Sequence, residues 1–300
     1  MRGNQVTRYA VLAVVAAVVT IGLKGTAWRM TGSVAILSDA LDSFVNLATS
    51  LISLMVLIVA ARPPDEEHSY GHTKVEYFAS GFEGAMILIA AASIGYAAVL
   101  RLLSPMEIVA VRDGLAVTVA ASVVNLVAAP LLFRAEARTA SIALGAGARH
   151  LMVDVWTSVA VVIGVILTAA TGIARLDPIF AIAVAINIVR TGVELIRRSM
   201  LGLMDTALPE DVRERITRIL EEHRPPGTQY HAIRTRQAGN WRFISFHMLV
   251  PGEWSVQTGH DLLERIEEKV REGVPNSTVF THLEPIEDPL SWQDTELHRT

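Results

Sequence analysis

Six apolar stretches, roughly 8–28, 34–61, 80–103, 112–133, 141–171 and 178–199, occupy the first two thirds of this 300-residue chain. Each is long enough to cross a hydrocarbon core of about 30 Å as a helix. With no water in that core, each segment must satisfy its own backbone amides, so the stretches are expected to fold as helices and pack into a bundle. Composition agrees, since 51% of the residues are hydrophobic and most charged side chains lie after Asp205. Residues 9–23, behind Arg2 and Arg8, have the look of a signal-peptide core. No small-x-small cleavage site follows cleanly and five more apolar segments do, so this stretch is read as a first membrane helix.

An even number of spans places both termini on one side. Arg2, Arg8, Arg62, Lys74, Arg134, Arg138, Arg197 and Arg198 lie there, against Lys24, Arg29, Arg112 and Arg175 opposite, with Arg101 nearby. Basic loops stay in the cytoplasm, which predicts cytoplasmic termini. The apolar pattern breaks at Leu203–Pro209, and beyond it the chain reads as a small α+β domain. Helical spacing runs over 210–223 (Val212, Ile216, Ile219, Leu220) and 256–272 (Val256, Leu262, Leu263, Ile266, Val270). Strands are expected at 231–237 and 241–250, around an Ala238-Gly239-Asn240 turn, and at 278–283. The predicted architecture is thus an all-α six-helix transmembrane bundle (1–205), an α-β-β-α-β cytoplasmic domain (206–288) and a flexible tail (289–300).

The net charge of −4 argues against a nucleic-acid partner, and the absence of cysteine restricts any metal to nitrogen and oxygen ligands. Ionisable residues at membrane depth are expensive and need a reason. Asp39, Asp42 and Asn46 fall close to one stripe of the second apolar stretch, and His150 and Asp154 stand four apart on the fifth. Two helices presenting donors at this spacing can build a four-ligand site that suits Zn²⁺ and tolerates Mn²⁺, Fe²⁺ or Co²⁺. A plain interhelical hydrogen-bond cluster is the competing reading, and the matched pairs favour the metal. Glu83, Asn125 and Asn187 each stand alone and are read as structural hydrogen-bonding groups.

The residues quoted so far resemble the cation diffusion facilitator family, proton-coupled metal exporters, and especially its bacterial zinc/iron members. The second stretch, Ser33-Val-Ala-Ile-Leu-Ser-Asp39-Ala-Leu-Asp42-Ser-Phe-Val-Asn46, and His150-Leu-Met-Val-Asp154 are similar to the family's D/H-x-x-x-D and H/D-x-x-x-D pairs. The most specific likeness is the loop Pro63-Pro-Asp65-Glu-Glu-His68-Ser-Tyr-Gly-His72-Thr-Lys74-Val-Glu76. The resemblance implies a transport site of Asp42, Asn46, His150 and Asp154 and a loop metal site of Asp65, His68 and His72. It also implies a binuclear zinc site of His231, His247, His260, His282 and Glu284 at a dimer interface, and an interlocking Lys74–Asp205 salt bridge. His231 and His247 sit on neighbouring predicted strands, and His282 and Glu284, two apart, point the same way.

Two departures from the family's pattern stand out. Asn46 replaces the usual Asp, removing a negative charge and a proton acceptor, and Arg149 sits beside His150 where an apolar residue is more usual. If Arg149 faced the site it would disfavour a bound cation; Glu83 and Asp39 are alternative partners for it.

The expected function is export of a divalent transition metal, Zn²⁺ first with Fe²⁺, Mn²⁺, Cd²⁺ or Co²⁺ as alternatives. A homodimer in the inner (plasma) membrane would work by alternating access with protons as counter-ion, and Zn²⁺ would also serve as a structural or regulatory ion. A metal-sensing or scaffold membrane protein that does not transport is the alternative. An intramembrane metalloenzyme lacks support, because no His-Glu-x-x-His pair is present.

Overall fold

The computed structural model describes the backbone at 2–31, 34–104, 112–173 and 175–293. It describes the side chains of those residues except 2–5, 27–28, 30–31, 34–42, 45, 112–115, 117–118, 161, 165–166, 168–170 and 177. The chain forms two compact units, Met1–Met200 and Leu201–Thr300.

The first unit is built from α1 (Arg2–Thr31), α2 (Val34–Ala60), α3 (Val75–Leu103), α4 (Arg112–Thr139), α5 (Ile142–Thr171) and α6 (Leu176–Leu203). Val6–Thr26, Val75–Leu103, Val119–Thr139, Ile142–Gly164 and Pro178–Leu203 are each long and apolar enough to cross a bilayer, and α2 adds the shorter apolar stretch Asn46–Ala60. Two helices run well past their apolar stretches. α3 begins at Val75 and so includes Glu76, and α4 continues to Thr139 and so includes Glu136. Hydropathy misses these turns because both carboxylates are satisfied inside the protein. Glu76 is buried and accepts from Ser141 Oγ at 2.6 Å and from the Ala143 amide at 3.4 Å. Its charge therefore sits at the N-terminus of α5, where unpaired amides and the helix dipole favour an anion.

Without a hydrophobic drive between helices in lipid, close packing of small residues must hold the bundle. Ala10, Ala13 and Ala16 of α1, Ala128, Ala129 and Ala135 of α4, and Ala143 and Ala148 of α5 share one core with Leu57 and Leu132. A second core joins Ile87 and Ala91 of α3, Ala146 and Val153 of α5, and Ile188 and Leu195 of α6. α5 belongs to both, which makes it the element that positions a site against its neighbours. Gly84 of α3 and Gly192 of α6 bring two backbones together, since a Cβ on Gly84 would lie 3.1 Å from the Gly192 carbonyl oxygen.

In the second unit, α7 (Glu210–His223) and α8 (Val256–Gly273) accompany β1 (Gln229–Ala238), β2 (Trp241–Val250) and β3 (Ser277–Pro285), in the α-β-β-α-β order expected from the sequence. β2 pairs antiparallel with β1 and parallel with β3. Ala238 and Trp241 face each other across a tight turn whose Gly239 has φ of 59°, a left-handed conformation that glycine adopts without steric cost. Ser255 caps α8, accepting from the Thr258 amide at 3.1 Å. Leu262, Ile266 and Val270 of α8 and Ile216 and Leu220 of α7 cover Ile244, Phe246 and Met248 of β2. Where the sequence pointed to a loose tail, Pro289–Trp292 forms a 3-10 turn, with Trp292 Nε1 donating to the Ile286 carbonyl at 2.9 Å. Residues 294–300 lie outside the described ones.

The glycine contacts give a direct test. Alanine favours a helix over glycine by roughly 1 kcal/mol. Gly95→Ala, whose new Cβ meets nothing within 4 Å, should therefore be neutral or slightly stabilising. Gly84→Ala presses on a backbone oxygen and should lower stability by about 1–3 kcal/mol, read as a lower Tm in detergent.

Candidate metal centres

The first cluster lies inside the bundle. Asn46 of α2 sits between two side chains of α5: its Nδ2 donates to Asp154 Oδ2 at 2.8 Å, and its Oδ1 lies 2.8 Å from His150 Nε2. The amide orientation follows from that pattern. A carboxylate only accepts, so the amide nitrogen faces Asp154 and the amide oxygen faces the ring, which then carries its proton on Nε2. Asn125 of α4 adds a second donor to Asp154 Oδ2 at 3.2 Å. Glu83 of α3 approaches from the other side, its Oε1 3.6 Å from His150 Nδ1. Glu83, Asn125 and His150 are all buried.

Glu83 and Asn125 were set aside in the sequence as lone structural groups, yet both reach the His150–Asn46–Asp154 cluster. No sequence signal marks this, because they stand on helices with no repeat in common with α2 or α5. The side chains of Asp39 and Asp42, the remaining acids of that stripe, lie outside the described residues. Arg149 does not turn toward Glu83. Its guanidinium pairs with Glu136 at 3.2 Å and stacks over Phe133 at 5.7 Å, and Arg198 reaches the same carboxylate at 3.5 Å. Gly145 makes room for this, since any Cβ there would collide with the Glu136 carboxylate. The cation beside His150 is thereby neutralised away from the cluster.

An Asp at the centre of a membrane helix costs about 2.5–3.5 kcal/mol on the insertion scale. Interhelical hydrogen bonds in membranes average roughly 0.6 kcal/mol. The two amides on Asp154 Oδ2 offset part of that cost.

The second cluster is the loop before α3. Asp65 Oδ1 accepts from the His68 amide at 2.7 Å and lies 3.1 Å from His68 Nδ1, while Oδ2 is 3.2 Å from His72 Nε2. Gly71, with φ of 82°, turns the chain so that the two imidazoles lie 4.4 Å apart. The His68 backbone N–H, helped by the two imidazoles, holds the Asp65 carboxyl below its ordinary value. The contribution of this turn is therefore present above the normal carboxylate range and is lost as pH falls through the lowered value.

The third cluster spans the sheet of the second unit. His231, His247 and His282 are register partners across β1, β2 and β3. Glu284 is buried between them, Oε2 lying 2.9 Å from His231 Nε2 and 3.3 Å from His247 Nδ1. His282 stands at the rim, its Nε2 3.6 Å from Glu284 Oε1. His260 lies on the exposed face of α8 and is not among the gathered donors, which come from His231, His247 and Glu284. A convergent set of imidazoles and one carboxylate, with all donor atoms within 4.8 Å of one another, fits Zn²⁺. Lys74 and Asp205 belong to different units, and Asp205 accepts from Arg236 at 3.2 Å.

Residues 10–204 match the cation efflux transmembrane domain and residues 208–286 the cytoplasmic domain of cation efflux proteins. The chain therefore belongs to the cation efflux, or cation diffusion facilitator, family of multi-pass membrane transporters. It is 50% identical over 285 residues to an uncharacterized transporter of Synechocystis sp., covering 95% of this chain and 92% of the relative. It is 32% identical over 284 residues to the cation-efflux pump FieF of Cronobacter sakazakii, covering 94% of each. Among solved structures, the metal-bound C-terminal domain of the CzcD transporter from Thermotoga maritima matches 26% of this chain and 92% of that domain, at 27% identity and a TM-score of 0.25.

If Asp65 is a ligand of the loop site, Asp65→Ala should bind one metal ion fewer per chain by equilibrium dialysis, with the ions of the other clusters retained. In the metal-free protein the His68 amide proton shift should follow the Asp65 titration, with its midpoint below the ordinary carboxylate value.

Proposed function

We propose that this protein exports a divalent transition-metal cation from the cytoplasm in exchange for protons, with Zn²⁺ the first candidate and Fe²⁺, Mn²⁺, Cd²⁺ and Co²⁺ the alternatives. Asp42, Asn46, His150 and Asp154 form the transport site of this reading. The observation that carries it is the bridge of Asn46 between His150 and Asp154, which gathers three of the four groups.

The geometry supports a sequence of events. Asn46 donates to Asp154 Oδ2 and accepts the Nε2–H of His150. A cation entering between α2 and α5 breaks both bonds and is held by Asp154 and Nε2, and the Nε2 proton leaves from a ring that keeps a second proton on Nδ1. Protons arriving from the opposite side restore the hydrogen-bond chain and expel the cation. Alternating access then requires only that α2 and α5 open toward one side at a time. In this reading both termini are cytoplasmic and the protein is a homodimer of the inner membrane. His231, His247, His282 and Glu284 hold Zn²⁺ that braces the cytoplasmic domain, with His260 available to it from α8, and Asp65, His68 and His72 hold a further ion.

Asp154→Ala should abolish metal uptake into proteoliposomes, to less than about a tenth of the wild-type rate; undiminished flux would contradict the assignment. Asn46 offers an amide oxygen where a carboxylate would be softer and more basic, which shifts preference toward Mn²⁺ and Fe²⁺. Asn46→Asp should move the flux preference back toward Zn²⁺ by roughly tenfold, a difference of about 1.4 kcal/mol. The gathered histidines of the second unit favour one other reading, a metal sensor that does not transport. Metal binding without flux through the full-length chain would select it.

A further inference from the structure

His150 uses one ring nitrogen, Nε2, toward Asn46, and its other nitrogen is unaccounted for by the function above. Nδ1 is buried, has no hydrogen-bond partner, and faces Glu83 Oε1 at 3.6 Å. Glu83 is only 3% exposed, and its Oε2 is also buried without a partner. A carboxylate placed this deep, in a helix long and apolar enough to span a bilayer, is expensive unless a positively polarised group lies opposite. Ser53 donates one hydrogen bond to Glu83, and a proton on Nδ1 of His150 would supply the polarised group opposite it. Glu83 borders a small cavity of about 20 Å³, with Ser50, Ser53 and Gly147 and otherwise apolar side chains, so at most one water accompanies it. Gly147, one turn before His150 on α5, also lines this cavity, and a Cβ there would lie in ordinary contact with Glu83 Oε1, at 3.8 Å.

A metal-bound imidazole has a specific requirement on its far side. Once Nε2 coordinates a cation, the ring proton resides on Nδ1, and an acceptor there fixes the tautomer, orients the ring and raises the basicity of Nε2. We propose that Glu83 is the positioning residue that meets this requirement, accepting the Nδ1–H of His150 in the cation-bound state. A small rotation of either side chain closes the gap from 3.6 Å to hydrogen-bonding distance. Glu83 also brings a second carboxylate to a cluster whose described members otherwise include one, Asp154. That charge acts across water-poor protein, where it attracts a divalent cation far more strongly than at a surface. Asn125 serves the other end of the chain in the same way, its Nδ2 fixing Asp154 at 3.2 Å.

The inference rests on His150 being a ligand of the transported cation, and the test separates the two. Full-length protein in proteoliposomes is assayed for Zn²⁺ flux as wild type, Asp154→Ala, Glu83→Gln, His150→Asp and the double variant Glu83→Gln/His150→Asp. Glu83→Gln keeps the size and polarity of the side chain and should raise the half-saturating Zn²⁺ concentration roughly tenfold to a hundredfold, the usual effect of losing a partner of a metal-bound histidine. In the His150→Asp background, where no Nδ1 exists, the same change should alter that constant less than about twofold. Equal losses in both backgrounds, or no loss in either, overturn the proposal. A second readout covers the case in which His150→Asp does not transport. With ¹⁵N-labelled histidine, the resonances missing from His150→Asn identify His150, and on Zn²⁺ addition its Nδ1 should become the protonated nitrogen in wild type and lose the strong hydrogen-bond shift in Glu83→Gln. Identical Zn²⁺-bound spectra overturn the proposal as well. Loss of flux in Asp154→Ala with no effect of Glu83→Gln rejects this inference alone, whereas full flux in Asp154→Ala rejects the transport site itself.

Discussion

The hydrogen-bond chain from His150 through Asn46 to Asp154 is the interaction on which the remaining features converge. It joins two helices, α2 and α5, that each present polar residues at four-residue spacing. Around it, several of the described charges have destinations of their own. Glu76 goes to the start of α5, Arg149 and Arg198 go to Glu136, and Glu83 is left facing the free side of the histidine ring. The bundle is thus arranged so that few charges compete with an incoming cation at the cluster.

α5 carries this arrangement because both apolar cores include it. Alanine and glycine on its several faces allow four neighbours to come close, and the same small residues give Glu136 and Glu83 space against its backbone. Packing and chemistry therefore use one resource. A bulky residue at Gly145 would disturb a core and an ion pair together. In the second unit the sheet performs the corresponding task by register, setting three histidines in a row across three strands with Glu284 buried beneath them.

The parts legible in the sequence were those with a local period. Apolar runs located the membrane helices, four-residue spacing gave Asn46 and the His150–Asp154 pair, and alternation along one strand put His282 and Glu284 on the same side. What could not be read were contacts between elements distant in sequence. Glu83 and Asn125 looked solitary because their partners are on α5, and Arg149 looked threatening because Glu136 lay beyond the apolar run that defined α4. Helix ends lay beyond the apolar runs for the same reason: Glu76 and Glu136 interrupt the hydropathy and are satisfied by contacts within the bundle. The family resemblance carried the loop residues and the cytoplasmic cluster, but His260 is not among the donors that the sheet gathers.

The account stands on a cation binding where the hydrogen-bond chain now runs. The most direct measurement is anomalous scattering from crystals of the Zn²⁺-loaded full-length protein. A peak between Asn46, His150 and Asp154, with the Asn46–Asp154 and Asn46–His150 hydrogen bonds broken, is the predicted result. Zinc confined to the loop and the cytoplasmic sheet, with that chain intact, would contradict it.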